Sequence, residues 1–317
     1  FLFSADDKAP SQRTRDRDVD IHHIKIDVTV DLEEKSVSGN VTHTLSAFNS
    51  SLSEFELDAE DMEIHRVRLD GKDISYNHHG EKVFLSLNKS IGWDDTVKVR
   101  LDYTAYPRRG TFFIEPDSVY PEKPWQAWTQ GEDTDNHHWV PIYDYPNDKA
   151  TFETILTVDK KFKAISNGEL ISLKDNKDGT HTWHWHEHFP MVSYLISYVI
   201  GEFEKVEDSY NGIPVNYWVY DENKKEALRS FGLTPDMMKY FGEVTGVEYP
   251  YEKYDQIIID DFMFGGMENI TLTHNTDRTM YDEFAAPDVK LEGEVDLSDL
   301  EDMLVWVDKL DGGGINH

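Results

Sequence analysis

"IKIDVTVDL", residues 24 to 32, sets Ile24, Ile26, Val28 and Val30 against Lys25, Asp27 and Thr29. Apolar side chains at every second position put one face in a core and the other in water, which is the signature of a half-buried strand. The same period recurs outward along the chain in "VTHTLSAF", "TVKVRLDY", "FETILTV" and "THTWHWH". Turn pairs separate these runs at Asp70-Gly71, Asn167-Gly168 and Asp178-Gly179, where a glycine supplies the positive φ that tight hairpins need. Many short strands at this spacing predict an all-β sandwich or saddle-shaped sheet from about residue 20 to residue 205. "MVSYLISYVIGEF", residues 191 to 203, is almost continuously apolar and is expected to form a central strand buried on both faces.

Beyond residue 206 the pattern changes. "NKKEALRSFGLTPDMMKYFGEVTGVEYPY" carries Ala227, Leu228, Phe231, Met237, Met238, Tyr240 and Phe241, with Gly232 and Pro235 interrupting any single long helix. "YDQIIIDDF" then reads as a buried strand, so residues 206 to 287 are expected to open a mixed α/β domain. Residues 288 to 317 hold nine acidic and two basic side chains. Ser298 and Glu301 have capping-box spacing, and Leu297, Leu300, Leu304 and Val307 follow a helical period, so a short helix near 299 to 310 is expected in an atypical acidic tail. Residues 1 to 19 form an N-terminal extension in this reading.

Composition narrows the function. The 317 residues include 62 acidic and 31 basic side chains, a formal charge of −31, which disfavours nucleic acid and anionic lipid as partners. No run of eighteen apolar residues is present, so no membrane span is expected. The absence of cysteine excludes disulfides and thiolate metal sites. "FLFSA" at the start is a poor signal-peptide end because Phe3 is too large for the small residue expected before cleavage. A soluble protein is expected, with the cytoplasm the favoured compartment; nothing in the sequence sets an oligomeric state.

The chemistry concentrates in "GGMEN", Gly265 to Asn269, and in "WTQGEDTDNHHWVPIYDYPNDKATFE", which carries Gln130, Glu132 and Pro141-Ile142-Tyr143-Asp144-Tyr145-Pro146. In these residues the chain resembles the zinc-dependent aminopeptidase N family, whose signature is Gly-Ala-Met-Glu-Asn; here Gly266 stands in place of the alanine. The resemblance runs in consistent order over roughly residues 20 to 287. It implies an N-terminal β domain followed by the first part of a thermolysin-like α/β catalytic domain. It also implies peptides with a free N-terminus as partners. Glu132 and Glu268 would converge on the protonated α-amino group by charge-assisted hydrogen bonds, and Gln130 would add a side-chain contact. Gly265 and Gly266 would let a peptide strand pair with bare main chain, with Met267 and Asn269 completing the motif and Phe264 beside the first side-chain pocket.

The resemblance further implies zinc, held by an HExxH helix and a later glutamate. No HExxH occurs in these residues. The one His-Glu pair, His186-Glu187, is followed by Pro190 where the second histidine would stand, and "LSDLEDMLVWVDKL" contains no histidine. The expectation is therefore a truncated form of a zinc aminopeptidase that carries amine-recognition residues, no catalytic residues, no metal ligands and no zinc of its own, and is inactive alone. The alternative is a non-catalytic binding module for peptide N-termini. His184, His186 and His188 alternate along a strand, with Trp183 and Trp185 on the other face, and are expected to be solvent-facing rather than ligands. The adjacent pairs His78-His79 and His137-His138 are weaker still, because neighbouring side chains diverge in an extended chain.

Overall fold

In the strand Val19–Asp31, Ile24, Ile26, Val28 and Val30 are buried while Thr29 is exposed, so the alternation in the sequence is carried directly into the structure. The structure is a computed structural model that describes residues 14–280, all within one compact unit. The tail from residue 288, with its expected helix, and the first thirteen residues lie outside the described residues. The chain is mainly β, in four sheets.

The largest sheet has eight strands. Val19–Asp31 and Ala150–Asp159 pair in parallel at its centre, and Ser36–Ala47, Val97–Ala105 and Met62–Leu69 continue it antiparallel on one side. Thr180–Met191 and the exposed edge strand Glu169–Asp175 complete the other side. The turn at Asp70-Gly71 has positive φ at both residues (48° and 81°), as a two-residue hairpin demands. A three-stranded sheet (Leu52–Asp58, Lys82–Ile91, Ser75–His79) and a four-stranded sheet (Lys163–Ser166, Tyr198–Gly201, Gln126–Thr129, Thr111–Ile114) pack their apolar faces into the same core.

Residues 204 to 276 build a five-stranded sheet in the order Glu204–Tyr210, Ile213–Val219, Tyr254–Ile259, Leu272–Thr276, Gly266–Met267. Two helices, Ala227–Phe231 and Thr234–Thr245, carry the chain between the parallel strands Ile213–Val219 and Tyr254–Ile259. Pro235 sits in the first turn, where its missing N–H costs nothing, and Gly246 ends the helix at φ 69°. The apolar run Ile257, Ile258, Ile259 is buried on both faces: Ile258 packs with Tyr217, Phe231 and Met238 under the helices, whereas Ile257 and Ile259 join the large β core.

Two expectations require correction. Residues 191 to 203 are not one strand. Thr180–Met191 ends at Met191, a 3-10 turn covers Ser193–Leu195, and only Tyr198–Gly201 is a strand, fully buried in its small sheet. The run is apolar because it is buried, but before Tyr198 its backbone is satisfied by its own 3-10 turn and by side chains rather than by neighbouring strands. Asn136 Nδ2 donates to the carbonyls of Ser193 (2.7 Å) and Ile196 (3.3 Å), and Asn167 Oδ1 accepts from Ser197 N (2.7 Å). The second correction concerns His137 and His138. They lie in the 3-10 turn Asn136–His138, not in an extended segment, and their rings stack at 4.5 Å instead of diverging.

The seam between the β core and the five-stranded sheet contains buried charge. Lys253 Nζ donates to Asp255 Oδ2 and to the Ser166 carbonyl, both at 2.8 Å, and lies 4.3 Å from the centre of the Trp185 ring. Glu187, 1% exposed, accepts from Phe189 N and lies 3.2 Å from Thr271 Oγ1. Burial, reinforced by Glu252, raises its pKa to about 7 against the opposing pull of the Phe189 N–H, Thr271 and Lys253. The unfolded chain releases this proton near pH 4.3. Between that pH and about 7 the folded state holds a proton that the unfolded state has lost, so this residue's contribution to stability falls as pH rises. Glu187→Gln is accordingly expected to gain stability relative to the parent between pH 5 and pH 8, by up to a few kcal/mol. Paired thermal melts at the two pH values measure it, and a flat difference would contradict the assignment.

Candidate functional site

The strand Gln126–Thr129 is buried along its whole length and delivers Gln130 and Gly131 to the edge of the four-stranded sheet. Gln130 is anchored by its N–H to the Gly110 carbonyl (2.9 Å). At Gly131 a Cβ would come within 2.6 Å of the Tyr194 carbonyl and 2.5 Å of Asn136 Nδ2, so the position accepts only glycine without displacement. That close approach lays the next residue, Glu132, against the segment that carries Tyr194. Asn136 then bolts the loop down: besides its two bonds to the 193–196 backbone, its Oδ1 accepts from Trp139 Nε1 at 2.8 Å.

The second segment leaves the strand Tyr254–Ile259 at Asp260. Phe262 is buried edge-on to Trp128 (5.3 Å between ring centres), while Phe264 is half exposed and touches Phe262 edge-on at 5.8 Å. Gly265 presents its carbonyl to Thr276 N (3.2 Å), and no atom lies within 4 Å of where its Cβ would be. Gly266 and Met267 form the outermost strand of the five-stranded sheet, opposite Asn275 and His274, with their other edge unpaired among the described residues. Met267 is buried, Glu268 is exposed and Asn269 is buried, its carbonyl accepting from Leu272 N at 3.1 Å. Behind this edge His274 is fully buried, and burial depresses its pKa to about 3, so it is neutral.

The two segments meet. Gln130 Nε2 lies 3.2 Å from Met267 Sδ, while Gln130 Oε1 and Asn269 Nδ2 are buried with no hydrogen-bond partner among the described residues. Asn167 joins the second segment to the β core by donating to the Ile270 carbonyl (2.6 Å) and the Leu195 carbonyl (3.1 Å), and Gly168 N donates to Thr271 Oγ1 at 2.6 Å. Tyr194 reports on both carboxylates: its phenol pKa is raised above the ordinary value by burial and then by the charges of Glu268 and Glu132. Neither Glu132 nor Glu268 has an arginine or lysine partner among the described residues. Two exposed carboxylates thus lie on segments that meet beside a strand edge unpaired among the described residues.

Sequence reasoning singled out the residues from Gln130 to Asn269 but missed Tyr194, because the run that contains it was read as a strand. Asn167 was read only as part of the Asn167-Gly168 turn, and Asn136, in the polar stretch "GEDTDNHH", carries no signal in the sequence that sets it apart. His184, by contrast, faces as expected and is engaged: it bonds Glu153 at 2.8 Å, and Lys25 shares that carboxylate at 2.7 Å. Burial alone would raise Glu153, but these partners bring it to about 2.

Comparison with known proteins follows the same division of the chain. Residues 20–195 match the Peptidase M1 N-terminal domain, and residues 229–292 match the Peptidase family M1 domain. The chain is 32% identical to glutamyl aminopeptidase of Bos taurus over 205 residues, 64% of this chain and 20% of that protein. It is 24% identical to aminopeptidase 2 of Candida albicans over 233 residues, 71% of this chain and 25% of that protein. It is 25% identical to leukotriene A-4 hydrolase of Xenopus laevis over 281 residues, 84% of this chain and 45% of that protein. The matched stretch thus spans between a fifth and a little under half of these relatives. With one family domain matched across more than half of its length, the chain belongs to the peptidase M1 family.

Proposed function

We propose that residues 20–205 and 206–287 together form the amine-recognition part of an M1 aminopeptidase, and that the site binds the protonated N-terminus of a peptide. The observation that carries this reading is the meeting of the two motif segments, with Gln130 Nε2 3.2 Å from Met267 Sδ, each the near neighbour in sequence of one of the two glutamates; consistent with it, the Tyr194 phenol is raised by burial first and then by the charges of Glu268 and Glu132. A protonated α-amine between two carboxylates forms charge-assisted hydrogen bonds and relieves their mutual repulsion. The first peptide units would then extend along the free edge of Gly266–Met267, where the absence of a Cβ at Gly265 and Gly266 leaves the backbone accessible. Phe264, half exposed beside the edge, would contact the first side chain. Removal of N-terminal residues is the activity we assign to the protein of which these residues are the recognition part.

Zinc, implied by the resemblance to aminopeptidase N, does not fit the residues of this chain in the manner of that family. There is no HExxH. The one His-Glu pair lies on a strand, with His186 and Glu187 on opposite faces, Glu187 buried at the seam and Pro190 in the place of the second ligand. No hydrolytic step is therefore derived from these residues, and binding without cleavage is the reading for residues 1–317 on their own.

Peptides labelled at the C-terminus are expected to bind at least tenfold more tightly with a free N-terminus than with an acetylated one. Glu132→Gln and Glu268→Gln should each remove most of that difference, since one charge-assisted bond is worth about 1.5–3 kcal/mol. Fluorescence anisotropy gives the affinities, and equal binding of the acetylated peptides would sink the proposal. The same preparation is expected to leave aminoacyl-arylamides intact; measurable turnover would overturn the binding-only reading. Either glutamine variant should also lower the pKa of the Tyr194 phenol, because a neighbouring negative charge is lost. Difference titration against Tyr194→Phe measures this independently of any peptide, and an unmoved titration would separate the two carboxylates.

A further inference from the structure

The stacked histidines of the 3-10 turn face a carboxylate from a different sheet. Glu60, in the corner after the strand Leu52–Asp58, donates its N–H to the His137 carbonyl at 3.0 Å, which locks the two elements in register. Its Oε2 lies 3.8 Å from His137 Nε2 and 3.9 Å from His138 Nε2, and the three donor atoms fall within 4.8 Å of one another. Each ring is held from behind by a separate carboxylate. His137 Nδ1 lies 3.1 Å from Asp144 Oδ2, and His138 Nδ1 lies 3.0 Å from Asp61 Oδ2. These contacts fix both imidazoles with Nδ1 as the donor and turn both Nε2 atoms toward Glu60.

We propose that Glu60, His137 and His138 form a divalent-cation site of the zinc class, outside the amine-recognition residues. Two imidazole nitrogens and one carboxylate are a zinc-type donor set, and a carboxylate behind each histidine is the arrangement that orients such ligands and raises their basicity. The spacing fits. Ligands about 2.0–2.1 Å from a tetrahedral ion sit about 3.3 Å from one another, so each Glu60–histidine distance would close by roughly half an ångström around a metal, and the two Nε2 atoms, within 4.8 Å of each other, by at most about 1.5 Å. Asp135 Oδ1 is also 3.9 Å from His138 Nε2 and offers a carboxylate for a fourth position.

The neighbourhood favours a cation. The carboxylates of Asp58, Glu60, Asp61, Asp135 and Asp144 outnumber the guanidinium groups of Arg15, Arg108 and Arg109. Arg108 bonds Asp61 and reaches Glu60 at 3.4 Å, with its side chain 76% exposed, so it is the cation that a bound metal would have to displace from Glu60. Protons compete for the same nitrogens: burial opposes protonation of His137, yet Asp144 and Asp58 prevail and raise its pKa. Occupation of the site would tie the Glu60 corner to the turn that follows Glu132.

The full chain, stripped with a chelator and desalted after incubation with zinc, is expected to retain one equivalent by elemental analysis and to melt at a higher temperature than the stripped protein. Cobalt in place of zinc should give the intense visible bands of a four-coordinate nitrogen–oxygen site. Glu60→Gln, a half-buried position at the rim, and His138→Gln should each weaken zinc binding at least tenfold. His186→Gln, on the distant strand, should bind as the parent does. Should a histidine variant fail to fold, Glu60→Gln and the cobalt spectrum of the parent decide the matter. No retained metal, unchanged affinity in Glu60→Gln, or loss of binding in His186→Gln would each overturn the assignment.

Discussion

Two buried asparagine amides hold the site together. Residues 192 to 197 have no strand partner among the described residues, so the backbone groups that their own 3-10 turn leaves open need side-chain partners. Asn136 supplies them from the loop that follows Glu132, and Asn167 supplies them from a turn that also grips the Ile270 carbonyl just beyond Glu268. An orphaned buried backbone group costs about 1–3 kcal/mol, and each amide prevents two or more such losses. Tyr194 lies within this braced segment, which is why one phenol senses carboxylates from both flanking loops.

Exposure divides the acidic residues by role. Glu132 and Glu268 reach solvent, where water offsets part of the cost of two unpaired like charges. Glu187 is enclosed at the seam and is driven toward its neutral form, even with buried Lys253 nearby. Lys253 has its own close partner in Asp255, and its ammonium lies over the Trp185 ring. The protein thus concentrates mobile protonation at the joint between its β core and its α/β sheet and leaves open charge at the edge strand.

Strand structure was legible because alternation is a local property of the chain. The runs beginning at Ile24, Val41, Val97, Phe152 and Thr180 all fall in strands with the expected faces, and the helices around Phe231 and Met238 stop and start at Gly232 and Pro235 as chain stereochemistry requires. The run from Met191 to Phe203 misled because hydrophobicity reports burial, not hydrogen-bond partner. A segment satisfied by distant asparagines looks the same in sequence as one satisfied by neighbouring strands. His137 and His138 misled for a related reason: adjacent side chains diverge in a strand but share a side in a tight turn, and the turn is imposed by Asn136 bonding across the fold.

By itself, the sequence determined where the alternating strands and their hairpin turns fall, the strongly anionic character of the protein, the absence of thiol chemistry and the two short motifs that carry Gln130, Glu132 and Glu268. Each of these depends on residues close together in the chain or on a plain count of charges. Only the tertiary structure decided that Gln130 touches Met267, that Asn136 and Asn167 brace the segment carrying Tyr194, and that Glu60 meets two histidines from a remote 3-10 turn. Such encounters depend on which backbone groups find partners across the fold, and that is settled by packing between remote segments, to which local periodicity is blind.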